Sequence, residues 1–293
     1  MMFSRQSEGS MKADNRFLSQ KKEFWANVRT ISQELGYTIR GAGAIKVHAL
    51  PEVKNKFNEL KLDTHHICNE TNELTEFGRT LFSYFEYRAH VLDGFVQANL
   101  MNKESAQIEF ERIKSRLNPS CPLPLNKQKG DKKNYAFLTC MVNMLIEESL
   151  GGIECDYDPR ALTTITHNRQ PLRTLSRRVD GAFPSVINPL AIWEIKEYYY
   201  TTTFGSRVAD GVYETLLDGM ELEELEHETG KKVEHLLIID DYPTWWECGR
   251  SYLCRMIDML HMGYVDEVIF GKELITRLPV IVKEWKSAYT NKA

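Results

Sequence analysis

Hydrophobic positions change their period part-way along the chain. In the first part they recur at helical spacing: within residues 17–35, Phe17, Phe24, Trp25, Val28 and Ile31 share one face. PEVKNKFNELK (51–61) offers Pro51 at a first-turn position. Residues 72–101 are apolar on one side, with Gly78 and Gly94 as points where a long helix could break. SAQIEFERIKSRL (105–117) predicts a further amphipathic helix with Ser105 as its cap. LNPSCPLPLNKQKGDKKN (117–134) is dense in proline and lysine and predicts a linker or a long exposed loop.

Beyond that segment, alternation and short apolar runs take over. AFLTCMVNMLIEESL (136–150) predicts a helix stopped by Gly151-Gly152. Strands are expected at 161–167, 178–183 and 191–200, the last two rich in β-branched and aromatic residues and joined by a turn containing Pro and Asn. A helix over 206–230 ends at Gly230, and VEHLLIID (233–240) is apolar enough for a central strand. A helix over 244–263 and a strand over 265–271 complete a βαβ unit, which implies a parallel pair. KELITRLPVIVKEW (272–285) predicts a last helix or an irregular segment. The expected class is α/β: a mainly helical region over 1–130, for recognition or dimerisation, followed by a domain over 131–293 with a central mixed sheet flanked by helices.

Composition adds limits. At 293 residues, 42% hydrophobic and 27% charged, the chain matches an ordinary folded protein of one large or two modest domains. It has no apolar run of membrane-helix length, and MMFSRQSEGSMKADNRF lacks the apolar core of a signal peptide; its first dozen residues are expected to fray. Six cysteines without a CxxC pair suggest neither zinc nor a dithiol motif, and a reducing cytoplasm is the expected setting. The net charge of −4 divides unevenly: residues 1–130 hold 19 Lys+Arg against 15 Asp+Glu, and residues 131–293 hold 18 against 26. That distribution permits a polyanion partner without requiring one.

The chemistry concentrates in VDGAFPSVINPLAIWEIKEYY (179–199). Alternation places Glu194 and Lys196 on one face of a strand, with Trp193 and Ile195 on the other. If the preceding strand is the antiparallel partner, Asp180 reaches the same place. Two carboxylates held together favour a cation, and a hard divalent ion takes oxygen ligands while keeping several waters. Such an ion can polarise a phosphate, and a lysine beside it can orient or deprotonate water and stabilise developing charge.

Asp180, then Glu194-Ile195-Lys196 in strand context, with a helix before and a helix and parallel strand after, resembles the PD-(D/E)XK nuclease superfamily over roughly residues 136–271. That superfamily includes most type II restriction endonucleases. The resemblance implies a restriction-endonuclease-like core and a Mg²⁺-dependent endonuclease, with Mn²⁺ able to substitute, that cuts double-stranded DNA at a specific site. Asp180, Glu194 and the Ile195 carbonyl are then metal ligands, Lys196 is the catalytic lysine, and Glu147 or Glu148 adds a carboxylate from the preceding helix. Val179 stands where the motif has proline, which lowers its specificity more than its chemistry. Cutting both strands at a symmetric site implies a homodimer, and the resemblance implies a prokaryotic or phage origin. Phage, repair, transposition and defence nucleases share the same core. A non-catalytic DNA-binding protein that kept the fold is the alternative from another class.

Arginines stand close by. Arg173, Arg177 and Arg178, upstream of Asp180, and Arg207, opening the next helix, suit phosphate contacts. Arg207, Asp210, Tyr213 and Glu214 also fit a plain helix-surface ladder, from which Arg207 or Glu214 could support the site. Lys12, Lys21, Lys22, Arg29, Arg40 and Lys46 are further phosphate contacts if the N-terminal half meets DNA. His65 and His66 are adjacent, which is no ligand spacing, and Trp245 and Trp246 are expected to be mostly core.

Overall fold

The computed structural model describes residues 10–126, 134–200 and 205–291. The frayed start expected of the first dozen residues, up to residue 9, and positions 127–133 of the expected linker lie outside this set. The strands are β1 (Met11–Lys12), β2 (Asp156–Tyr157), β3 (Thr164–His167), β4 (Gln170–Thr174), β5 (Gly181–Phe183), β6 (Ala191–Glu197), β7 (Glu234–Asp240) and β8 (Glu267–Phe270). The helices are α1 (Asn15–Leu18), α2 (Lys22–Leu35), α3 (Leu50–Glu59), α4 (Glu76–Val91), α5 (Gln97–Asn99), α6 (Lys103–Leu117), α7 (Phe137–Leu150), α8 (Ser206–Thr229), α9 (Arg250–His261) and α10 (Leu274–Thr290).

A mixed six-stranded sheet runs in the order β1-β8-β7-β6-β5-β2. From β2 through β5 to β6 the pairing is antiparallel. From β6 through β7 to β8 it is parallel, with α8 and α9 as the crossovers. The βαβ unit expected over 233–271 is therefore present. β3 and β4 pair with each other as a separate hairpin rather than joining the main sheet. Packed on it are Val179, Ala182 and Ile192, with Leu222 and Leu225 of α8, in a small third core.

Alternation along the central strands builds two larger cores. Leu237, Ile239, Val268 and Phe270 face α9 and the N-terminal helices, where Phe17, Phe24, Val28, Leu81 and Phe85 are buried. Leu236, Ile238 and Ile269 point the other way with Trp193, against α7 and α10. Ala106, Phe110 and Ile113 of α6 join that second core, so α6 packs with the elements after the proline-rich segment although it precedes it in sequence.

Local rules account for most helix ends. Gly151 and Gly230 adopt left-handed conformations (φ 60° and 69°) at the C-caps of α7 and α8. The cap of α6 is Asn102, not Ser105: Asn102 Oδ1 accepts from the Ser105 N–H at 2.9 Å, and Ser105 Oγ accepts from the Asn102 N–H. Gly78 does not break α4; a Cβ there would stand 2.0 Å from the Ile67 carbonyl oxygen, so a close backbone approach explains it. Gly94 lies in a π-helical turn, Leu92–Val96, that joins α4 to α5. The segment 272–285 resolves as helix α10, with Pro279 inside it. No described helix is long and apolar enough to cross a membrane.

Candidate active site

β6 carries the site because it is central and its neighbour stops short. β5 pairs with β6 only as far as Gly181 opposite Trp193. One residue before β5, the Asp180 N–H donates to the Trp193 carbonyl at 3.1 Å. The Asp180 carboxylate then continues the ladder in place of backbone, accepting from the Ile195 N–H at 2.8 Å. Gly181 is required beside it: atoms of the Trp193 ring lie 2.0 Å from where a Cβ would stand. Asp180 is thus fixed at the edge where the two strands part, and that edge opens into a cleft.

On the α8 face, Glu194 and Lys196 point the same way and meet, Lys196 Nζ donating to Glu194 Oε2 at 2.9 Å. Helix α8 adds Glu214, whose Oε2 accepts from Lys196 Nζ at 3.1 Å. Arg177 Nη2 donates to Glu194 Oε2 at 3.1 Å, and its Nη1 also binds Asp218. Glu194 Oε1 lies 3.0 Å from Arg177 Nη1 but lacks hydrogen-bond alignment, so this fully buried oxygen has an ionic neighbour and no hydrogen bond. Asp218 Oδ1 is likewise buried without a partner.

The electrostatics separate the roles. Burial drives Glu194 upward, but Lys196 and Arg177 outweigh it and hold the carboxyl below its ordinary range. Burial depresses Lys196, and Glu194, Asp180 and Glu214 more than reverse this, so its amine is held as ammonium. Asp180 is pushed up to about 6, by burial first and then by Glu194, with Lys196 and the Ile195 N–H opposing. It keeps solvent exposure although atoms crowd around it, as expected of a group on the floor of an open cleft. Burial and Glu194 raise Asp218 to about 7 against the pull of Arg177. Four acids face two cations here, and the excess negative charge is relieved by protons or by a cation.

The other face of β6 lines a cleft of about 520 Å³ with Asp180, Ile195 and Glu197. Tyr157, Tyr198 and Tyr200 give it aromatic walls, and Arg160 and Arg207 also reach it. Glu197 Oε2 accepts from the Thr139 N–H and Oγ1, each at 3.0 Å, at the start of α7, while its Oε1 is buried without a partner. Burial lifts Glu197 to about 7, the Thr139 bonds opposing.

A carboxyl raised by folding keeps its proton while the unfolded chain has lost it, so stability falls as pH climbs from the ordinary glutamate range to about 7. Glu197→Gln is therefore expected to flatten the pH dependence of unfolding between about 4.5 and 7, stabilising the neutral protein by on the order of 1–2 kcal/mol. Denaturant melts of both proteins across that window check this, and parallel pH profiles would refute it.

The sequence-predicted residues divide. Asp180, Glu194, Ile195 and Lys196 come together where β5 leaves β6, and Arg207 lines the cleft with Asp180 and Ile195, on the face of β6 away from Glu194 and Lys196. Glu147 and Glu148 do not join them. Ser120 donates to Glu147, which lines a different cavity beside Cys155, and Glu148 pairs with Arg116 at 3.1 Å. Both glutamates sit in the last turn of α7, whereas its first turn meets Glu197, so a site carboxylate from this side comes from the strand. Arg173 is held by Glu224 and Glu221 on α8 and Arg177 by buried acids, so neither is available to clamp phosphate. Arg178 is exposed. Lys12, itself exposed, pairs with Glu267 at 3.5 Å and the part-buried Lys46 with Glu52 at 2.9 Å; Lys21, Lys22, Arg29 and Arg40 are exposed as well.

Sequence reasoning missed Arg160, Glu197 and Asp218. For Asp218 the signal was its position four residues after Glu214, on the same helix face. Of the other residues weighed, His65 pairs with Asp63 at 2.6 Å, Arg255 donates to the Tyr213 hydroxyl, and Trp245 and Trp246 are core.

Fold and site define a mixed α/β protein with a charged cluster on its central strand. The chain belongs to the family described as Domain of unknown function (DUF7687), which matches residues 101–285, more than half its length. A second family, Domain of unknown function (DUF7690), matches residues 11–95. Neither a curated protein nor a solved structure matches the chain.

Proposed function

We propose that this protein is a Mg²⁺-dependent endonuclease of the PD-(D/E)XK kind, hydrolysing phosphodiester bonds of double-stranded DNA and acting as a homodimer at a specific site. The observation that carries the reading is the joint placement of Asp180, Glu194 and Lys196 where β5 leaves β6. The element order supports it: helix α7, the antiparallel run β2-β5-β6, helix α8, then β7 parallel to β6.

The donor set fits a hard cation. Asp180 spends one carboxylate oxygen on the Ile195 N–H, and Glu194 has a buried oxygen without a hydrogen bond. Among the described residues no three or more acid, His or Cys side chains are arranged to hold a metal ion by themselves, so two carboxylates and the Ile195 carbonyl would be the protein's share, with waters completing the shell as Mg²⁺ prefers. When bound, Mg²⁺ supplies charge to the phosphate oxygens and lowers the pKa of water. Lys196, held as ammonium, orients the attacking water and offsets charge on the phosphorane rather than acting as base. Arg177 keeps Glu194 ionised and aimed, and Arg207, in the cleft, receives the strand's phosphate.

One observation favours a second reading. Glu194 is wholly buried and already met by Lys196 and Arg177, as in a structural ion-pair network. A non-catalytic DNA-binding protein would keep such a network and tolerate Asp180→Asn. The experiment is incubation of duplex DNA with the purified protein in Mg²⁺ and in EDTA: the nuclease reading requires metal-dependent scission, and the second predicts binding alone.

A further inference from the structure

The cleft beside Asp180 has a lining that phosphodiester hydrolysis does not itself need. Three tyrosines, Tyr157, Tyr198 and Tyr200, contribute to its walls. Arg160, its side chain 78% exposed and its Nη2 3.2 Å from the half-exposed Asp158 carboxylate, and Arg207 bring cations to the same space. Glu197 Oε1 is buried there without a hydrogen-bond partner, although the other oxygen is satisfied by Thr139. A buried polar atom left unpaired costs free energy unless a ligand satisfies it. At about 520 Å³ the cleft lies within the roughly 300–1,000 Å³ typical of small-molecule sites.

We infer that this cleft is a nucleotide pocket: one unpaired base enters among the tyrosines, its edge meets Glu197, and its phosphate lies between Arg160 and Arg207 beside Asp180. Aromatic faces stack on any base, arginines take the phosphate, and a carboxyl matches an exocyclic amine on the base edge. A simple apolar groove would need neither the arginines nor the unpaired carboxyl oxygen. The unit could come from a DNA strand, as a flipped or single-stranded nucleotide, or from a free nucleotide. The inference deepens the nuclease reading, since it places a specificity pocket next to the scissile phosphate.

The test uses the full chain and 2-aminopurine fluorescence in Ca²⁺, with the probe in a single strand, in a duplex and as the free deoxynucleotide. Quenching is expected on binding, with affinity about 10-fold weaker in Tyr157→Leu and in the exposed-site variant Arg160→Ala, which perturbs no core. Quenching by strand alone assigns the pocket to unpaired DNA, and competition by free deoxynucleotide assigns it to a small ligand. No quenching with any probe, or quenching that both folded variants retain in full, overturns the pocket. Cleavage in Mg²⁺ is read separately. Quenching without cleavage leaves the pocket and removes the nuclease reading; cleavage without quenching does the reverse.

Discussion

Replacing Lys196 with alanine is expected to slow DNA cleavage by about 100- to 10,000-fold while leaving DNA affinity in Ca²⁺ within about 3-fold of the parent, the range seen when one positioned charged group is removed from an active site. The reason lies in its surroundings. The ammonium sits 2.9 Å from Glu194 and 3.1 Å from Glu214, and nearby acids hold it charged. In the proposed nuclease it would therefore act as a fixed positive charge beside the reacting phosphate. Folding should survive the change, because Arg177 still lies 3.0 Å from Glu194 and keeps that buried carboxylate paired. Lys196→Arg keeps the charge but not its point geometry and should recover only part of the rate. Single-turnover cleavage beside a Ca²⁺ binding titration separates the two effects. Equal losses of binding and cleavage would place Lys196 in DNA docking instead.

Replacing Arg88 with methionine is expected to destabilise the protein by about 3–5 kcal/mol, without touching the site. Arg88 is completely buried on α4, donating to both oxygens of Asp258 on α9 at 2.9 and 3.1 Å. The Tyr84 hydroxyl donates to the same carboxylate at 2.6 Å, and Ser32 accepts from the guanidinium. The guanidinium also lies 5.2 Å from the ring centres of Tyr37 and Phe85. Loss of the arginine leaves a buried carboxylate with one neutral donor. Arg88→Met combined with Asp258→Leu should recover much of the loss, since the uncompensated charge goes with its partner. Urea midpoints of the two singles and the double measure this; a single variant that unfolds like the parent would contradict it. The ion pair ties the N-terminal helices to the βαβ unit. A mutation that loosens it should therefore unfold both, not release one.

Periodicity made the architecture legible wherever one rule dominated. The run VEHLLIID is apolar enough for the central strand it forms as β7, and alternation in AIWEIKE gave the facing of Glu194 and Lys196 that β6 displays. The strand expected at 178–183 begins only at Gly181, because Asp180 uses its side chain where a strand residue would use backbone. Partners across helices were illegible. Nothing in RTLSRRVD shows that Arg177 turns inward to Glu194 and Asp218 while Arg178 turns out, since that depends on how α8 crosses the strand. Glu147 and Glu148 follow from the resemblance, which implies a carboxylate on the preceding helix without saying which turn faces the strand, and the direction in which α7 runs along β6 places them at its far end. Glu197 escaped notice because it sits one residue past the motif, on the opposite face. In FSYFEYRAH (82–90), a packing face explains the aromatics, but the buried arginine among them required Asp258, 170 residues away.

The central claim is that Asp180, Glu194 and Lys196 form a metal-dependent phosphodiesterase site. Its most direct test is cleavage of a long duplex DNA by the parent protein and by Asp180→Asn, each in Mg²⁺ and in EDTA, with binding followed in parallel. The account predicts cutting by the parent in Mg²⁺ only, and binding without cutting by Asp180→Asn. Cutting that persists in Asp180→Asn, or a parent protein that binds DNA and leaves it intact with Mg²⁺ and with Mn²⁺, would contradict it.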